Sequence, residues 1–347
     1  MRIGLIGAGR IGAVHAANLG AMSGVTDALL TDVDGERAQR LAEATGLTAV
    51  PDVDALLAAD LDGLVVAAPT RAHAALLARA AAAGVPVFCE KPLATDVAGT
   101  IAASELLERA GIPLQMGFQR RFDPGYRAAR AAVTAGELGW LHTLWACTYD
   151  PAPPPAGYLP DSGGIFRDCS VHDFDAVRWV TGREVAEVYA GGTNRGERFF
   201  TDAGDVDTAT ALLTLDDDTT VFVGASRYNG AGYDVRMELH GSRGTVAVGL
   251  DEATPLRSVE RGVDWPAGTG YPHFTQRFAA AYAAELATFC EVAAGRAASP
   301  CGGGDALAAL LVAEACELSR AQRRPVRLDE VRPQDTPSTT GERAATT

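Results

Sequence analysis

The stretch "RIGLIGAGRIGAV", residues 2–14, decides how the rest of the chain is read. Its opening run is apolar without alternation, which predicts a strand buried on both faces. Gly7, Gly9 and Gly12 then follow in G-x-G-x-x-G spacing, and residues 10–21 read as a helix. In such a unit Gly7 permits the tight turn, Gly9 lets the backbone approach a pyrophosphate, and Gly12 lets helix and strand pack closely. The helix N-terminus presents its orphan N–H groups to the anion. Arg10 and Ile11, inside the motif, are candidate contacts as well. A chance glycine pattern in an Ala/Gly-rich segment is the competing reading. It leaves Asp32 unexplained: this residue ends the second strand, twenty residues after Gly12, where a carboxylate receives ribose hydroxyls. A bare acid there repels a 2′-phosphate and favours NAD over NADP, although Arg37 is close enough in sequence to temper that preference.

Outward from this motif, short apolar strands alternate with helices to about residue 120, ending with "VPVFCE" (85–90) and "IPLQMGF" (112–118). That alternation implies an α/β fold with an N-terminal Rossmann-type, doubly wound parallel sheet over 1–120. From 121 to 330 the pattern becomes α+β. A helix at 123–135 precedes a strand, a Pro/Gly-rich loop and a helix over 165–181. Five strand-like runs with short connections follow, and then helices at 273–294 and 304–321. Short connections between neighbouring strands predict a large, mainly antiparallel open sheet. Residues 331–347 are polar and read as a disordered tail.

A net charge of -14 argues against nucleic acid or an anionic membrane as partner. The six cysteines form no C-x-x-C pair, no metal-ligand spacing is visible, and no segment approaches the ~20 apolar residues that span a bilayer. Cytoplasm is the expected compartment.

Two clusters carry chemistry. Of the 30 Lys and Arg residues, Lys91 is the only lysine, and it lies in "EKP" at the C-terminal end of a strand of the first sheet. Strand ends of this kind line the ligand crevice. A lysine there is a compact donor whose proton can move, which a guanidinium does not offer. Glu90 beside it, and Pro69, Thr70 and His73 at another strand end, are candidate cofactor contacts; a plain turn capped by Thr70 is the alternative for the latter three. In "GGIFRDCSVHDFDAVRW" (163–179), Asp168 and His172 are four apart and would share a helical face. His172 suits a general base for an alcohol proton, with Asp168 orienting it; a surface or capping pair is equally open from this segment alone.

The glycine motif, "EKP" and the GG-x3-D-x3-HD-x-D pattern together resemble the Gfo/Idh/MocA oxidoreductases, over nearly the whole chain to about residue 330. Within that family, "GFQRRFDPGY", "YDPAPPP", "SGGIF", "HDFD" and "GYDVRMELHGSRG" are most similar to bacterial inositol 2-dehydrogenases. The resemblance implies NAD as cofactor and oxidation of a secondary alcohol on a cyclic polyol, myo-inositol first. It implies Lys91, Asp168 and His172 as the catalytic set, with no metal. Arg121 (or Arg120), Asp150 and Tyr233 would line the polyol site. It also implies a second domain, 121–330, that binds substrate and forms tetramers or dimers, in service of inositol catabolism. Gln119, Tyr149, Cys169 and Ser170 depart from the inositol pattern, so another inositol isomer or an aldose stays open as substrate. From another class, a non-catalytic NAD-binding regulator on the same fold stays open too.

Overall fold

The computed structural model describes residues 1–333 apart from position 267 and the side chain at 161. Six strands form the first sheet: β1 (Arg2–Ile6), β2 (Asp27–Thr31), β3 (Thr48–Ala49), β4 (Gly63–Val66), β5 (Val87–Cys89) and β6 (Leu114–Met116). Their spatial order is β3-β2-β1-β4-β5-β6 and every pairing is parallel. The order reverses between β1 and β4, so the crevice lies at their carboxyl ends. β3 is a two-residue edge strand, too short to give a sequence signal.

The glycine turn is forced by close packing. Gly7 has φ +109°, and a Cβ on it would lie 2.5 Å from the Ala67 carbonyl oxygen. A Cβ on Gly12 would lie 2.0 Å from the Gly7 carbonyl oxygen, so helix Arg10–Ala21 can sit on β1 only without a side chain there. That helix buries Gly12, His15, Ala16 and Leu19, one 3.6-period face.

The second sheet is built from β7 (Leu141–Tyr149), β8 (Val185–Thr193), β9 (Thr208–Leu215), β10 (Thr220–Ser226), β11 (Asp234–Gly241), β12 (Thr245–Val248) and β13 (Val326–Arg327). Its order is β12-β11-β7-β10-β9-β8-β13, antiparallel except for β7 beside β10. One face packs on helices Val171–Thr181 and Gly303–Gln322. The expected helix over 165–181 is two pieces: a π-type turn, Phe166–Ser170, runs into helix Val171–Thr181.

The C-terminal helices return to the first sheet. Leu286 and Phe289 of helix Ala279–Ala293 are fully buried among Ile3, Leu5, Val65 and Phe88. Gly63 makes room for that docking, since a Cβ there would press on the Phe289 ring at 3.1 Å. Helix Gly303–Gln322 also touches helix Val97–Arg109, so it spans both layers. Of the tail expected over 331–347, Val331 instead closes the turn Leu328–Val331 and packs against the core; 334–347 lie outside the described residues.

Gly12→Ala should lower unfolding stability by about 1–3 kcal/mol, the usual cost of overpacking. Gly9→Ala, whose Cβ meets nothing within 4 Å, should be close to neutral in the same urea titration while weakening dinucleotide binding.

Candidate active site

The dinucleotide end is built by β1, β2 and the helix between them. Gly9 caps helix Arg10–Ala21 with no side chain of its own, and the space at its Cβ is open. An anionic pyrophosphate fits this cradle of free N–H groups. Arg10 is exposed and lies over the Phe274 ring at 5.6 Å; Ile11 is half-buried. Asp32 is oriented by three donors: Ala8 N–H at 2.6 Å to Oδ2, and Asp34 N–H at 2.8 Å and Arg37 at 2.6 Å to Oδ1. Desolvation opposes its charge, yet these hydrogen bonds and Arg37 hold its carboxyl below the usual range. The carboxylate keeps spare lone pairs for ribose hydroxyls, and half-exposed Arg37 stands beside it.

His73 does something different from what the sequence suggests. It is buried, with Nδ1 2.9 Å from the Pro92 carbonyl and Nε2 2.9 Å from the Ala68 carbonyl. Both ring nitrogens face backbone carbonyls, so the side chain bridges the loop after β4 and the loop after β5. Pro69 and Thr70 open the short 3₁₀ turn Thr70–Ala72 at that strand end. The Glu90 carboxylate likewise turns inward, 2.7 Å from His15 Nε2.

At the chemical end, Lys91 Nζ donates to the Asp168 carbonyl at 2.7 Å and to Asp168 Oδ1 at 3.2 Å. Tyr158 Oη donates to the same Oδ1 at 2.9 Å, and Arg227 donates to Oδ2 at 2.7 Å. The other arm of Arg227 reaches Asp150 Oδ2 at 2.9 Å. The sequence reading missed Arg227 and Tyr158. Lys91, Asp168, Arg227 and Asp150 form a line of alternating charge. Burial alone would raise the Asp168 carboxyl, but Lys91 and then Arg227 outweigh it and hold it well below the usual carboxylate range.

Asp168 does not pair with His172. The π-type turn, bonded i to i+5, breaks the i,i+4 stacking on which that expectation rested. His172 is half-buried, its ring edge-on to Phe118, and its buried Nδ1 has no partner. Burial first, then the charges of Lys91 and Arg120, push the imidazole well below its usual range; Asp168 offsets this only in part. The ring therefore stays neutral and keeps a lone pair.

The expected substrate arginine is elsewhere. Arg121 is buried in a fork with Asp175, a further pair with Asp305 and a bond to the Pro300 carbonyl, so four of its five donors are taken within the protein. Its alternative, Arg120, is buried against Asp173 and Thr148. Both fasten the helix that carries His172. Tyr233 is buried with its ring edge-on to Phe274, and that burial, offset in part by Arg120 and reinforced by Asp150, pushes its phenol well above the usual range. Among the described residues, no helix is long and apolar enough to cross a membrane.

Arg227→Leu would leave Asp150 and Asp168 facing each other without their shared donor. Stability should fall by about 3–5 kcal/mol at pH 7, the cost of breaking a buried pair. The wild-type benefit is fully present above the unfolded carboxyl value of about 4 and is lost as pH falls toward the depressed folded value. The deficit should therefore hold in melts at about pH 5 and shrink as the pH is lowered to about 2–3. A deficit that does not change with pH would assign the effect to packing rather than charge.

Residues 1–118 match the oxidoreductase family with an NAD-binding Rossmann fold, and residues 126–247 match the GFO/IDH/MocA C-terminal domain. A myo-inositol dehydrogenase of Streptomyces leeuwenhoekii is 42% identical over 320 residues, covering 90% of this chain and 96% of that protein. The crystal structure of a myo-inositol dehydrogenase from Corynebacterium glutamicum superposes with TM-score 0.86 at 38% identity, covering 94% of this chain and 98% of that one. A scyllo-inositol dehydrogenase from Lactobacillus casei, solved with NAD(H) and scyllo-inositol, gives TM-score 0.84 at 28% identity over 95% and 99% of the two chains. With both halves matched and the dinucleotide cradle in place, the chain belongs to the Gfo/Idh/MocA family of NAD-dependent oxidoreductases.

Proposed function

We propose that this dehydrogenase oxidises a secondary alcohol of a cyclic polyol, with myo-inositol as the first substrate to test. The observation that carries the reading is that Asp168 holds the Lys91 side chain at the strand ends while His172, on the next helix, keeps its Nδ1 without a partner. NAD, when bound, supplies the hydride acceptor. The chain supplies the proton chemistry. An ammonium has three donors. Two of Lys91's go to Asp168, which leaves one for a substrate oxygen. That donor stabilises the negative charge that develops on the oxygen as its proton leaves. His172 receives the proton; its neighbours keep it unprotonated and so ready to accept one. Asp168 fixes the lysine rather than the imidazole, and Asp150 and Tyr233 offer polar contacts to the ring hydroxyls. The 42% and 38% identities to myo-inositol dehydrogenases support this substrate. The likeness to a scyllo-inositol enzyme makes that isomer the second reading.

NADH formation should be greatest with myo-inositol in a panel with scyllo- and chiro-inositol and glucose; dominant turnover of glucose would overturn the substrate. Lys91→Ala and His172→Ala should each cut kcat at least about a hundredfold. Lys91→Arg, which keeps the charge, should fail as well. Because the imidazole is depressed, the acid limb of kcat/KM should fall below the free-histidine value of about 6.5. A limb centred above it would remove His172 as the base.

We also assign the surface through which the chain assembles. Tyr189, Leu212, Phe222 and Trp145 stand in register across β8, β9, β10 and β7 on the open face of the second sheet. All four are exposed, and Trp145 stacks on Phe222 at 4.5 Å. A contiguous apolar row of this kind favours burial against another copy. A dimer or tetramer is the form this supports. Trp145→Glu with Phe222→Glu should shift light-scattering mass to the monomer; an unchanged mass would place the interface elsewhere.

A further inference from the structure

Beneath the Lys91 loop lies a second polar cluster that the proposed proton transfer does not use. His15 comes from helix Arg10–Ala21, Glu90 from the end of β5, and Glu285 from helix Ala279–Ala293. His15 and Glu285 are fully buried and Glu90 is 9% exposed. His15 Nε2 lies 2.7 Å from Glu90 Oε1, with its ring edge-on to Phe88 and Tyr282. Glu90 Oε2 accepts the Lys91 backbone N–H at 3.3 Å. The same carboxylate fills the space a side chain at Gly117 would need, since a Cβ there would lie 2.9 Å from Oε2.

Glu285 is the anomaly. Neither carboxyl oxygen has a hydrogen-bond partner, and His15 Nδ1 has none either. Gln115 donates to the Glu285 backbone carbonyl, not to its carboxyl. One ligating atom from each of the three side chains lies within 4.8 Å of the others. An ionised carboxylate in this position, without a donor and facing a second carboxylate, is the arrangement buried charges avoid. A protonated carboxyl is a donor as well as an acceptor. Its terminal torsion is soft enough to turn its hydroxyl toward the pair.

We propose that Glu285 is held as a neutral carboxylic acid that donates into the His15–Glu90 pair, and that this buried triad positions the backbone of Lys91. Burial, and then the charge of Glu90, push the Glu285 carboxyl well above the usual carboxylate range, in keeping with this state. Glu285 is a positioning residue here: it acts through Glu90 and touches no reacting atom. The functional half of the proposal rests on Lys91's role in the reaction; the protonation half does not.

Infrared spectra of the intact protein at pH 8 test it directly. The wild type should show the C=O stretch of a protonated carboxyl, shifted in D₂O and absent from Glu285→Gln. Turnover separates positioning from bulk stability. Glu285→Gln keeps an N–H donor and should retain kcat within a few-fold, whereas Glu285→Leu should lower kcat roughly tenfold or more with NAD affinity little changed. Absence of the band in the wild type overturns the proposal. So does a Gln variant as impaired as the Leu variant. So does an equimolar metal ion that elemental analysis finds in the wild type and not in Glu285→Gln. If no polyol is oxidised at all, the infrared result still decides the protonation state.

Discussion

The alternating line Lys91–Asp168–Arg227–Asp150 is the interaction on which the crevice depends. Its members come from distant parts of the fold: the loop after β5, the π-type turn, and the ends of β10 and β7. Each cation is shared with a carboxylate from a different element, so the line joins the first sheet to the second. Removing any one of these charges from water is costly, and in a low-dielectric site the cost is recovered only when the partners are close and hydrogen-bonded. Asp168 meets that condition with three side-chain donors.

Behind this line, a second set of buried pairs fixes the helix that carries the histidine. Arg120 holds Asp173, Arg121 holds Asp175, and Arg277 holds Asp123 at the start of helix Pro124–Thr134. The adjacent arginines of "QRRF" thus each take one carboxylate of "HDFD". His172, between Val171 and Asp173, needs no hydrogen bond of its own to be aimed. Its protonation is disfavoured by burial first, and then by the charges of Lys91 and Arg120, rather than by a direct contact. A histidine held by backbone and charge keeps its nitrogens free to exchange a proton.

What was legible in the sequence was local. Gly12 answers to the Gly7 carbonyl five residues away, so the spacing of the glycines alone revealed the turn, although Gly7 itself packs on Ala67 beyond β4. The strand-end position of Lys91 followed from the alternation of elements, and the open sheet from its short connections. Arg227 was not legible, because its partners are 59 and 77 residues away and nothing near "SRYNG" marks it. Nor was the division of labour at Arg120 and Arg121, which depends on the helical face each carboxylate occupies. The supposed Asp168–His172 pair failed for a backbone reason: a π-type turn leaves no periodicity signal, yet it rotates one residue off its neighbour's face. His73 had the right location at a strand end, but two carbonyls claimed it.

The same geometry explains why one cation here is lysine while the others are arginine. Arg227 bridges two carboxylates, which suits a planar fork with separate arms. At position 91 that fork would be a disadvantage. Asp168 Oδ2 is already taken by Arg227, and Oδ1 is shared by Lys91 and Tyr158. A guanidinium there would bring a wider set of donors to a carboxylate with little capacity left. The ammonium spends two donors on Asp168 and keeps the third within a compact head. The arginines hold the site together, and the lone lysine offers its remaining donor from a compact head.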